Sequence, residues 1–244
     1  MLKTPLLDVY YNPVLALGTD LLGYWDANRK DLITIATGVS SWKDIVAGYD
    51  AVQAVGAAQP IYDPYSFNGQ PGVLFDGIDD ELTFTPSGQF PANADPCELW
   101  ALCSQDALVA DVTNRAVVSY GQFSNTNSRH IGRIVVSGVN RIRSNTGDGA
   151  GQARTGTIVN MSSRHVVRLQ VGATTSTLTG DKIAEGSVAS VPATVALRFR
   201  LGASPAGTTA LFWQGQLVVA MVTNPLTEVK ANELHKWLML RRKV

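Results

Sequence analysis

A sheet fold is first indicated by the stretch Gly72-Val-Leu-Phe-Asp-Gly-Ile-Asp-Asp-Glu-Leu-Thr-Phe84. It holds two short apolar runs, residues 73–75 and 82–84, with an acidic turn at 76–81 between them. An Asp-Gly pair between apolar runs indicates a tight turn, because glycine adopts positive φ at no steric cost. The stretch therefore predicts an early hairpin of a sheet protein.

Runs of similar length follow at intervals of roughly ten residues, which is typical of an all-β protein. Apolar and polar residues alternate in 166–171 and 195–201, as in a strand with one solvated face. The nearly continuous apolar run 97–103 predicts a strand that is buried on both faces. Ser137-Gly138 separates two further runs and predicts a two-residue hairpin turn.

The chain closes on one predicted helix over residues 227–242. Thr227 is a suitable N-cap, Glu228 lies in the first turn, and basic residues fill the last turn, which complements the helix dipole. We therefore predict an all-β fold, a two-sheet antiparallel sandwich with one C-terminal α-helix. The predicted domain spans residues 19–244, and residues 1–18 form an extended N-terminal arm because two prolines interrupt them.

The charge of the chain is zero in total but unevenly distributed. Residues 1–111 carry 15 acidic and four basic side chains, residues 112–170 one and eight, and residues 171–244 four and eight. The segments therefore differ in net charge, at −11, +7 and +4. This asymmetry fits contacts between subunits, or pairing of acidic with basic strands inside one sandwich.

The cysteines and the N-terminal sequence indicate in which compartment the protein is assembled. Cys97 and Cys103 are six residues apart on a predicted strand, so about 20 Å separates them and no disulfide joins them. Two free buried thiols fit assembly in a reducing cytoplasm. The N-terminus does not resemble a signal peptide, and no apolar run approaches the ~20 residues of a membrane span, so no membrane insertion is expected.

Four motifs in this order give the chain a family resemblance. They are Leu22-Gly-Tyr-Trp-Asp-Ala27; Val39-Ser-Ser-Trp-Lys-Asp44 with Gln59-Pro60; Gly69-Gln-Pro-Gly-Val-Leu-Phe-Asp-Gly77 with Asp79-Asp80; and Trp213-Gln-Gly-Gln-Leu with Asn224-Pro-Leu-Thr-Glu228. The set resembles the laminin-G-like, concanavalin A-like jelly-roll domains found in bacteriophage virion proteins. The resemblance implies a jelly-roll topology over residues 20–242, but a fold of this kind hosts lectins, glycanases and structural modules alike.

Our first functional hypothesis follows from that resemblance. It is a non-enzymatic structural component of a phage virion, in the tail tip, a fibre or a capsid decoration, that contacts other virion proteins and copies of itself. The protein would be assembled in the host cytoplasm and located in the virion. The second hypothesis is a carbohydrate-binding adhesion module that recognises host surface glycans, and the third is a glycan hydrolase.

Carbohydrate binding needs aromatic faces open to a sugar. The aromatic residues that we place in loops are the candidates: Trp42, Tyr49, Tyr62 and Tyr65. The alternative for each is packing beneath its loop. The basic segment offers no such surface, because residues 124–198 contain no Phe, Trp or Tyr. Single-strand binders stack bases on aromatic rings, so we expect no nucleic-acid partner.

Subunit contacts are predicted at two places. The apolar side chains of the arm would be costly to leave in water, so the arm packs either on a neighbouring subunit or along its own sandwich. A compact basic patch would form if three arginines share the outer face of the hairpin around residues 137–138. The predicted contact residues are Leu6, Leu7, Tyr10 and Tyr11 in the arm, and Arg133, Arg141 and Arg143 in the hairpin.

The sequence offers little for catalysis or metal binding. We expect no cofactor, although Asp76, Asp79 and Asp80 could supply oxygen ligands to calcium; the alternative is a solvated turn whose aspartates bind their own backbone. Asp79 and Glu81 are the acidic pair that hydrolysis would require. The three histidines lack a nucleophile-elbow motif, which favours surface or edge positions for them.

Overall fold

The computed structural model describes residues 11–67, 69–88, 90–91, 95–105, 115–121, 128–146, 152–159, 163–189, 198–204 and 211–243. Within them, 17 strands form two antiparallel sheets, and the C-terminal helix packs on the outside of one sheet. The predicted all-β, two-sheet sandwich with one C-terminal α-helix is therefore confirmed.

The first sheet has eight strands. They are β1 (Leu21–Asp26), β5 (Ile61–Phe67), β6 (Gln70–Asp76), β8 (Cys97–Gln105), β13 (His165–Val171), β14 (Thr175–Gly180), β15 (Ile183–Ala189) and β17 (Gln214–Thr223). Their order is β15-β14-β13-β8-β17-β6-β5, and β1 pairs with β17.

The second sheet has nine strands. They are β2 (Ile33–Ile35), β3 (Val39–Lys43), β4 (Asp50–Val52), β7 (Leu82–Phe84), β9 (Arg115–Gly121), β10 (Ser128–Val136), β11 (Val139–Thr146), β12 (Gln152–Val159) and β16 (Phe199–Leu201). Their order is β12-β11-β10-β9-β16-β7-β4-β3-β2.

The core lies between the two sheets. An aromatic cluster fills one end of it, where Trp25 stacks on Phe199 with ring centroids 5.0 Å apart and Phe84 lies 5.4 Å from Trp25. Cys97 and Cys103 are buried in this layer as free thiols, as predicted. Burying each large apolar side chain stabilises the sandwich by about 1.5–3 kcal/mol.

The stretch 72–84 corrects our first prediction. Gly77 does lie in a turn with a φ of 79°, but its flanking runs do not pair with each other. β6 pairs with β5 and β17 in the first sheet, whereas β7 pairs with β4 and β16 in the second. The acidic turn therefore carries the chain from one sheet to the other. Sequence periodicity cannot distinguish such a crossing from a hairpin, because both need a tight turn between two strands.

The hairpin predicted at Ser137-Gly138 is confirmed. Val136 pairs with Val139, and the two turn residues have φ values of 52° and 76°. Positive φ at both central residues matches the right-handed twist of the flanking strands.

Two helices lie on the outer face of the first sheet. The short helix α1 spans Pro13–Leu17, and the long helix α2 spans Glu228–Lys243. Thr227 caps α2, because its Oγ1 accepts a hydrogen bond from the backbone N–H of Lys230 at 3.4 Å. Residues 13–17 of the predicted extended arm are therefore helical, since proline is well tolerated in the first turn of a helix. Residues 1–10 lie outside the described residues.

None of the helices in the described part of the chain combines the length and the apolarity that a membrane span needs.

Candidate functional site

The outer face of the first sheet has its own apolar layer under α2. Trp100, Leu102 and Val166 of the sheet pack against Leu234 and Leu238 of the helix. Helix α1 packs into the same layer through Leu17. These contacts fix the C-terminal end of α2 beside the end of β1, and a pocket opens between them.

This pocket, which we call the helix pocket, has a volume of about 600 Å³. Ligand sites for small molecules usually measure about 300–1,000 Å³. Its wall residues come from α1, α2, β1, the start of β6 and neighbouring loops. The members that matter here are Tyr11, Tyr24, Asp26, Asn28, Gln70, Trp237 and Arg241.

Aromatic rings form one side of the helix pocket. Tyr11 lies 5.9 Å from Trp237 between ring centroids, at an interplanar angle of 37°. Tyr24 meets the same indole edge-on at 6.3 Å. Trp237 and Tyr24 are almost fully buried, whereas Tyr11 is half-buried and forms the open edge of the cluster.

A buried ion pair forms the polar side of the pocket. Arg241 donates two hydrogen bonds to the carboxylate of Asp26, at 2.8 Å and 2.7 Å. The Tyr24 hydroxyl donates to Asp26 Oδ2 at 2.6 Å, and Asn28 donates to Oδ1 through its backbone and side-chain nitrogens at 2.9 Å and 3.2 Å. The charge of Asp26 is therefore compensated, and the side chain is held in one position.

The tyrosine hydroxyls of the pocket are held in the protonated form. Burial raises the pKa of Tyr11 to about 12, with a further contribution from Glu233. Burial and the Asp26 carboxylate raise the pKa of Tyr24 well above its usual value. The buried hydroxyl of Tyr11 has no hydrogen-bond partner among the described residues. It can therefore serve a ligand that enters the pocket.

A pocket with these walls suits a neutral polar ligand that has apolar faces. Aromatic rings cover such a face, and amide, hydroxyl and guanidinium groups satisfy hydroxyls at its edges. A sugar ring has both features. Sequence reasoning missed this pocket, although Asp26 stands out as an acid in a buried strand and Trp237 and Arg241 are neighbours on one helix face.

Two of the predicted sugar-stacking aromatics lie in the interior. Trp42 is fully buried in β3, because it faces the layer between the sheets, so it cannot offer a face to a ligand. Tyr49 stacks on Phe84 at 5.1 Å and donates its hydroxyl to the carbonyl oxygen of Ser87 at 2.7 Å. Tyr49 therefore packs beneath its loop, the alternative that the sequence left open, whereas Trp42 lies in a strand and its predicted loop position is wrong.

The other two predicted aromatics lie on edge strand β5. Tyr62 is half-buried, with the ammonium of Lys30 4.8 Å from its ring centroid and its hydroxyl 3.3 Å from the carbonyl oxygen of Ala27. Tyr65 is 77% exposed and has an open ring. Tyr65 is thus a second place where a sugar could stack, although α2 does not contribute to it.

The predicted basic patch does not form as expected. Arg133 pairs with Ile142 and lies on the inner face of its sheet, where it is fully buried and donates to Asn140 Oδ1 at 3.1 Å. Arg141 and Arg143 lie on the opposite face, because side chains alternate along β11. Of the predicted arm contacts, Leu6, Leu7 and Tyr10 lie outside the described residues, and Tyr11 lines the helix pocket. Contacts between copies of the chain stay a prediction.

The acidic turn binds much of its own backbone. Asp76 Oδ1 accepts hydrogen bonds from the backbone N–H groups of Ile78, Asp79 and Asp80 at 2.7–3.4 Å. Carboxylate oxygens of Asp76, Asp79 and Asp80 lie within 4.8 Å of one another, and burial raises the pKa of Asp80 to about 6. Calcium binding here stays a prediction. Asp79 and Glu81, the acidic pair that hydrolysis would require, have different surroundings, because the Glu81 carboxylate accepts a hydrogen bond from Arg200 at 2.7 Å.

Two of the three histidines are buried, which corrects their predicted surface positions. His165 lies at the start of β13 and His235 in α2, with 6% and 4% of their surfaces exposed. His235 is buried because it lies on the face of α2 that packs on the sheet, where its ring is 6.3 Å from that of Trp100 between centroids.

Burial of His235 predicts a pH-dependent stability. Burial lowers its pKa to about 4, and Lys182, Arg168 and Arg242 add to this effect while Asp181 opposes it. An unfolded chain binds this proton near pH 6.5, so the contribution of His235 is complete above pH 6.5 and is lost as the pH falls toward 4. We expect His235→Phe to show a smaller drop in Tm between pH 7 and pH 5 than the parent, measured by differential scanning calorimetry. Equal drops would contradict the assignment.

Comparisons with known proteins complete the description. The sequence matches no protein-family model and no curated protein. The fold resembles domain 4 of AbnA, an arabinanase from Geobacillus stearothermophilus in complex with arabinotriose, with 12% identity, a TM-score of 0.60, and coverage of 88% of this chain and 98% of that domain. A Trypanosoma rangeli sialidase gives a TM-score of 0.64 and 13% identity over 93% of this chain and 33% of the enzyme.

An arabinofuranosidase complexed with arabinofuranosyl-α-1,2-xylobiose is similar at a TM-score of 0.58 and 12% identity, over 84% of this chain and 51% of the enzyme. The chain thus spans from a third to about half of these enzymes. At such identities the likeness shows a shared sandwich fold.

These neighbours overturn the prediction of a non-enzymatic structural component of a phage virion. They are glycoside hydrolases, a sialidase among them, and not phage structural proteins. The resemblance in motif order was correct about the sheet-rich sandwich. It failed for function because one fold serves many roles.

Proposed function

We propose that this chain is a glycan-binding sandwich domain that takes part in glycan processing, and that the helix pocket holds a short neutral oligosaccharide. The observation that carries the proposal is the juxtaposition of the Tyr11–Trp237 aromatic pair with the Asp26–Arg241 ion pair in one pocket. The earlier resemblance to laminin-G-like and concanavalin A-like domains supports the same proposal, since that fold includes lectins.

The electrostatics of the pocket favour neutral sugars over acidic ones. Arg241 is already paired with Asp26, and the exposed Arg29 is paired with Asp31 at 2.6 Å. Because both guanidinium groups already have a carboxylate partner in the protein, neither is available to bind a carboxylate of the ligand. The remaining polar groups, on Asn28 and Gln70, are uncharged amides that donate to and accept from hydroxyls.

The comparisons supply the ligand class to test. The arabinanase domain that the chain matches over 98% of its length was solved with arabinotriose. A neutral pentose oligosaccharide is therefore our first ligand, and a sialylated sugar, suggested by the sialidase, is the competing ligand.

Isothermal titration calorimetry with arabinotriose tests the proposal. We expect Tyr11→Ala to weaken binding roughly tenfold, or about 1.4 kcal/mol, because it removes the open edge of the aromatic cluster and a buried hydroxyl. Tyr65→Ala is the matched control, since it removes an exposed ring from another strand, and it should leave the affinity unchanged.

Two outcomes would contradict part of the proposal, and a third would extend it from glycan binding to catalysis. Loss of binding in Tyr65→Ala with none in Tyr11→Ala would move the site to β5. Binding of sialyllactose but not arabinotriose would reject the neutral ligand class. If chromatography detects arabinose released during the titration, the chain itself cleaves the glycan.

A further inference from the structure

A serine, a histidine and an aspartate lie in one hydrogen-bonded row at the start of β13. Ser163 precedes His165 by two residues, and Asp181 lies in the turn between β14 and β15. The strands β13 and β14 pair with Val167 opposite Gly180, which brings that turn beside His165. The row therefore depends on sheet pairing, and the chain order Ser…His…Asp gives no local motif.

The distances match a serine nucleophile with its base. Ser163 Oγ lies 3.1 Å from His165 Nε2, and His165 Nδ1 lies 2.7 Å from Asp181 Oδ2. A carboxylate accepts, so Nδ1 carries the proton and Nε2 is left with a lone pair. That nitrogen can then accept the proton of the Ser163 hydroxyl. This is the order of roles in Ser-His-Asp hydrolases on unrelated folds.

The aspartate is fixed and kept ionised. Its Oδ1 accepts a hydrogen bond from the backbone N–H of Val166 at 2.9 Å, and Arg242 Nη1 lies 2.6 Å from Oδ2. Burial raises the pKa of Asp181, but the hydrogen bonds from His165 and Val166 and the charge of Arg242 outweigh this effect, so the pKa is lowered overall.

Exposure is graded along the row. The side chains of His165 and Asp181 are 8% and 14% exposed, whereas Ser163 is only half-buried. A nucleophile must meet its substrate, while its base and the orienting acid work best when shielded from water. A clamp with a purely structural role would have no need of an accessible hydroxyl at its end.

The row is connected to the helix pocket through residues next to it in sequence, although none of its three members lines the pocket. Arg164, which follows Ser163, donates to the carbonyl oxygen of Gln70, a pocket residue, at 3.2 Å. At the other end, Arg242 contacts Asp181, while the preceding Arg241 lines the pocket. One end of α2 thus supports both places.

We propose that Ser163 and His165 catalyse the hydrolysis of carboxylic esters, with Asp181 as the residue that positions His165. This activity goes beyond glycan binding and does not require it. The substrates to be tested are esters with a small acyl group, such as the acetyl group of an O-acetylated sugar.

The reaction uses only the ester and water. Ser163 Oγ bonds to the carbonyl carbon while its proton passes to His165 Nε2. The bond between that carbon and the alcohol oxygen then breaks, and the alcohol leaves with the proton. Water attacks the acyl-serine, its proton passes through His165 Nε2 to Ser163 Oγ, and the carboxylic acid is released.

Active-site labelling of the full chain tests this assignment. With a fluorophosphonate probe, we expect one adduct per chain, located on the peptide that contains Ser163 by mass spectrometry. Ser163→Ala should abolish the adduct and reduce p-nitrophenyl acetate hydrolysis by roughly 10⁴-fold or more, since the loss of a triad member costs about 10⁴- to 10⁶-fold in kcat. His165→Gln should also abolish the adduct.

Ser187→Ala is the matched control, because Ser187 is an exposed serine on β15 whose hydroxyl lies 2.8 Å from Thr177 Oγ1, away from any histidine–aspartate pair among the described residues. This variant should react with the fluorophosphonate probe and hydrolyse p-nitrophenyl acetate to the same extent as the parent. Ser163→Ala removes one oxygen, so we expect its circular dichroism spectrum to match that of the parent. Absence of any adduct on Ser163, or hydrolysis that Ser163→Ala leaves unchanged, would overturn the assignment.

Discussion

Arg241→Met is expected to lower the free energy of unfolding by about 3–5 kcal/mol, which is the usual cost of removing one partner of a buried ion pair. Asp26 and Arg241 are each 6% exposed, so the carboxylate would remain in the interior without its bidentate partner. The Tyr24 hydroxyl and Asn28 would still donate to Asp26, but they carry no charge. Urea denaturation followed by tryptophan fluorescence measures the change.

The surface pair on the same helix serves as the control for Arg241. Lys236 lies 2.6 Å from Glu233, and both side chains are largely exposed. Lys236→Met should therefore change the unfolding free energy by less than about 1 kcal/mol. The double variant Asp26→Asn with Arg241→Met should regain part of the loss, since it removes both charges. A loss below about 1 kcal/mol in Arg241→Met would contradict the account of the pocket as a buried ionic site.

Glu98→Ala is expected to destabilise the chain by a similar amount, about 3–5 kcal/mol. Glu98 is fully buried, yet it lies in the most apolar strand of the first sheet. Its carboxylate accepts hydrogen bonds from Arg168 at 3.0 Å and 2.5 Å and from Trp100 Nε1 at 3.0 Å. It also accepts the backbone N–H of Leu226, just before α2, at 3.1 Å. Alanine would leave all of these donors without an acceptor.

Thermal unfolding measured by calorimetry compares Glu98→Ala with two other variants. Glu98→Gln should lose less stability, because the amide oxygen still accepts hydrogen bonds while the charge is absent. Glu228→Ala, an exposed acid in the first turn of α2, should cost less than about 1 kcal/mol. If Glu98→Ala and Glu228→Ala had the same Tm, Glu98 would not join the helix to the sheet as we describe.

Much of the fold was predictable because its signals are local. Alternation identified the strand at 166–171, the Ser137-Gly138 pair identified a hairpin, and Thr227 identified the start of α2. What was missed depends on pairing between distant strands. Whether the runs around Gly77 pair with each other or with other strands is decided by packing between the sheets. A turn motif carries no information about that choice.

The candidate sites were harder to predict for the same reason. Trp42 looks like a loop aromatic in sequence, and only its place between the sheets shows that it is buried. Arg133 and Arg141 share a hairpin but lie on opposite faces, which the register determines. The helix pocket joins residues that are over 200 positions apart, Tyr11 and Arg241. Rules based on residue spacing cannot predict a contact between positions so far apart in the sequence.

A crystal structure of the protein soaked with arabinotriose would test the central claim most directly. We predict sugar density in the helix pocket, with one ring against Tyr11, the open edge of the aromatic cluster, and hydroxyls bonded to Asn28 or Gln70. Density on Tyr65 or on another surface, with the helix pocket empty at saturating sugar, would contradict the account.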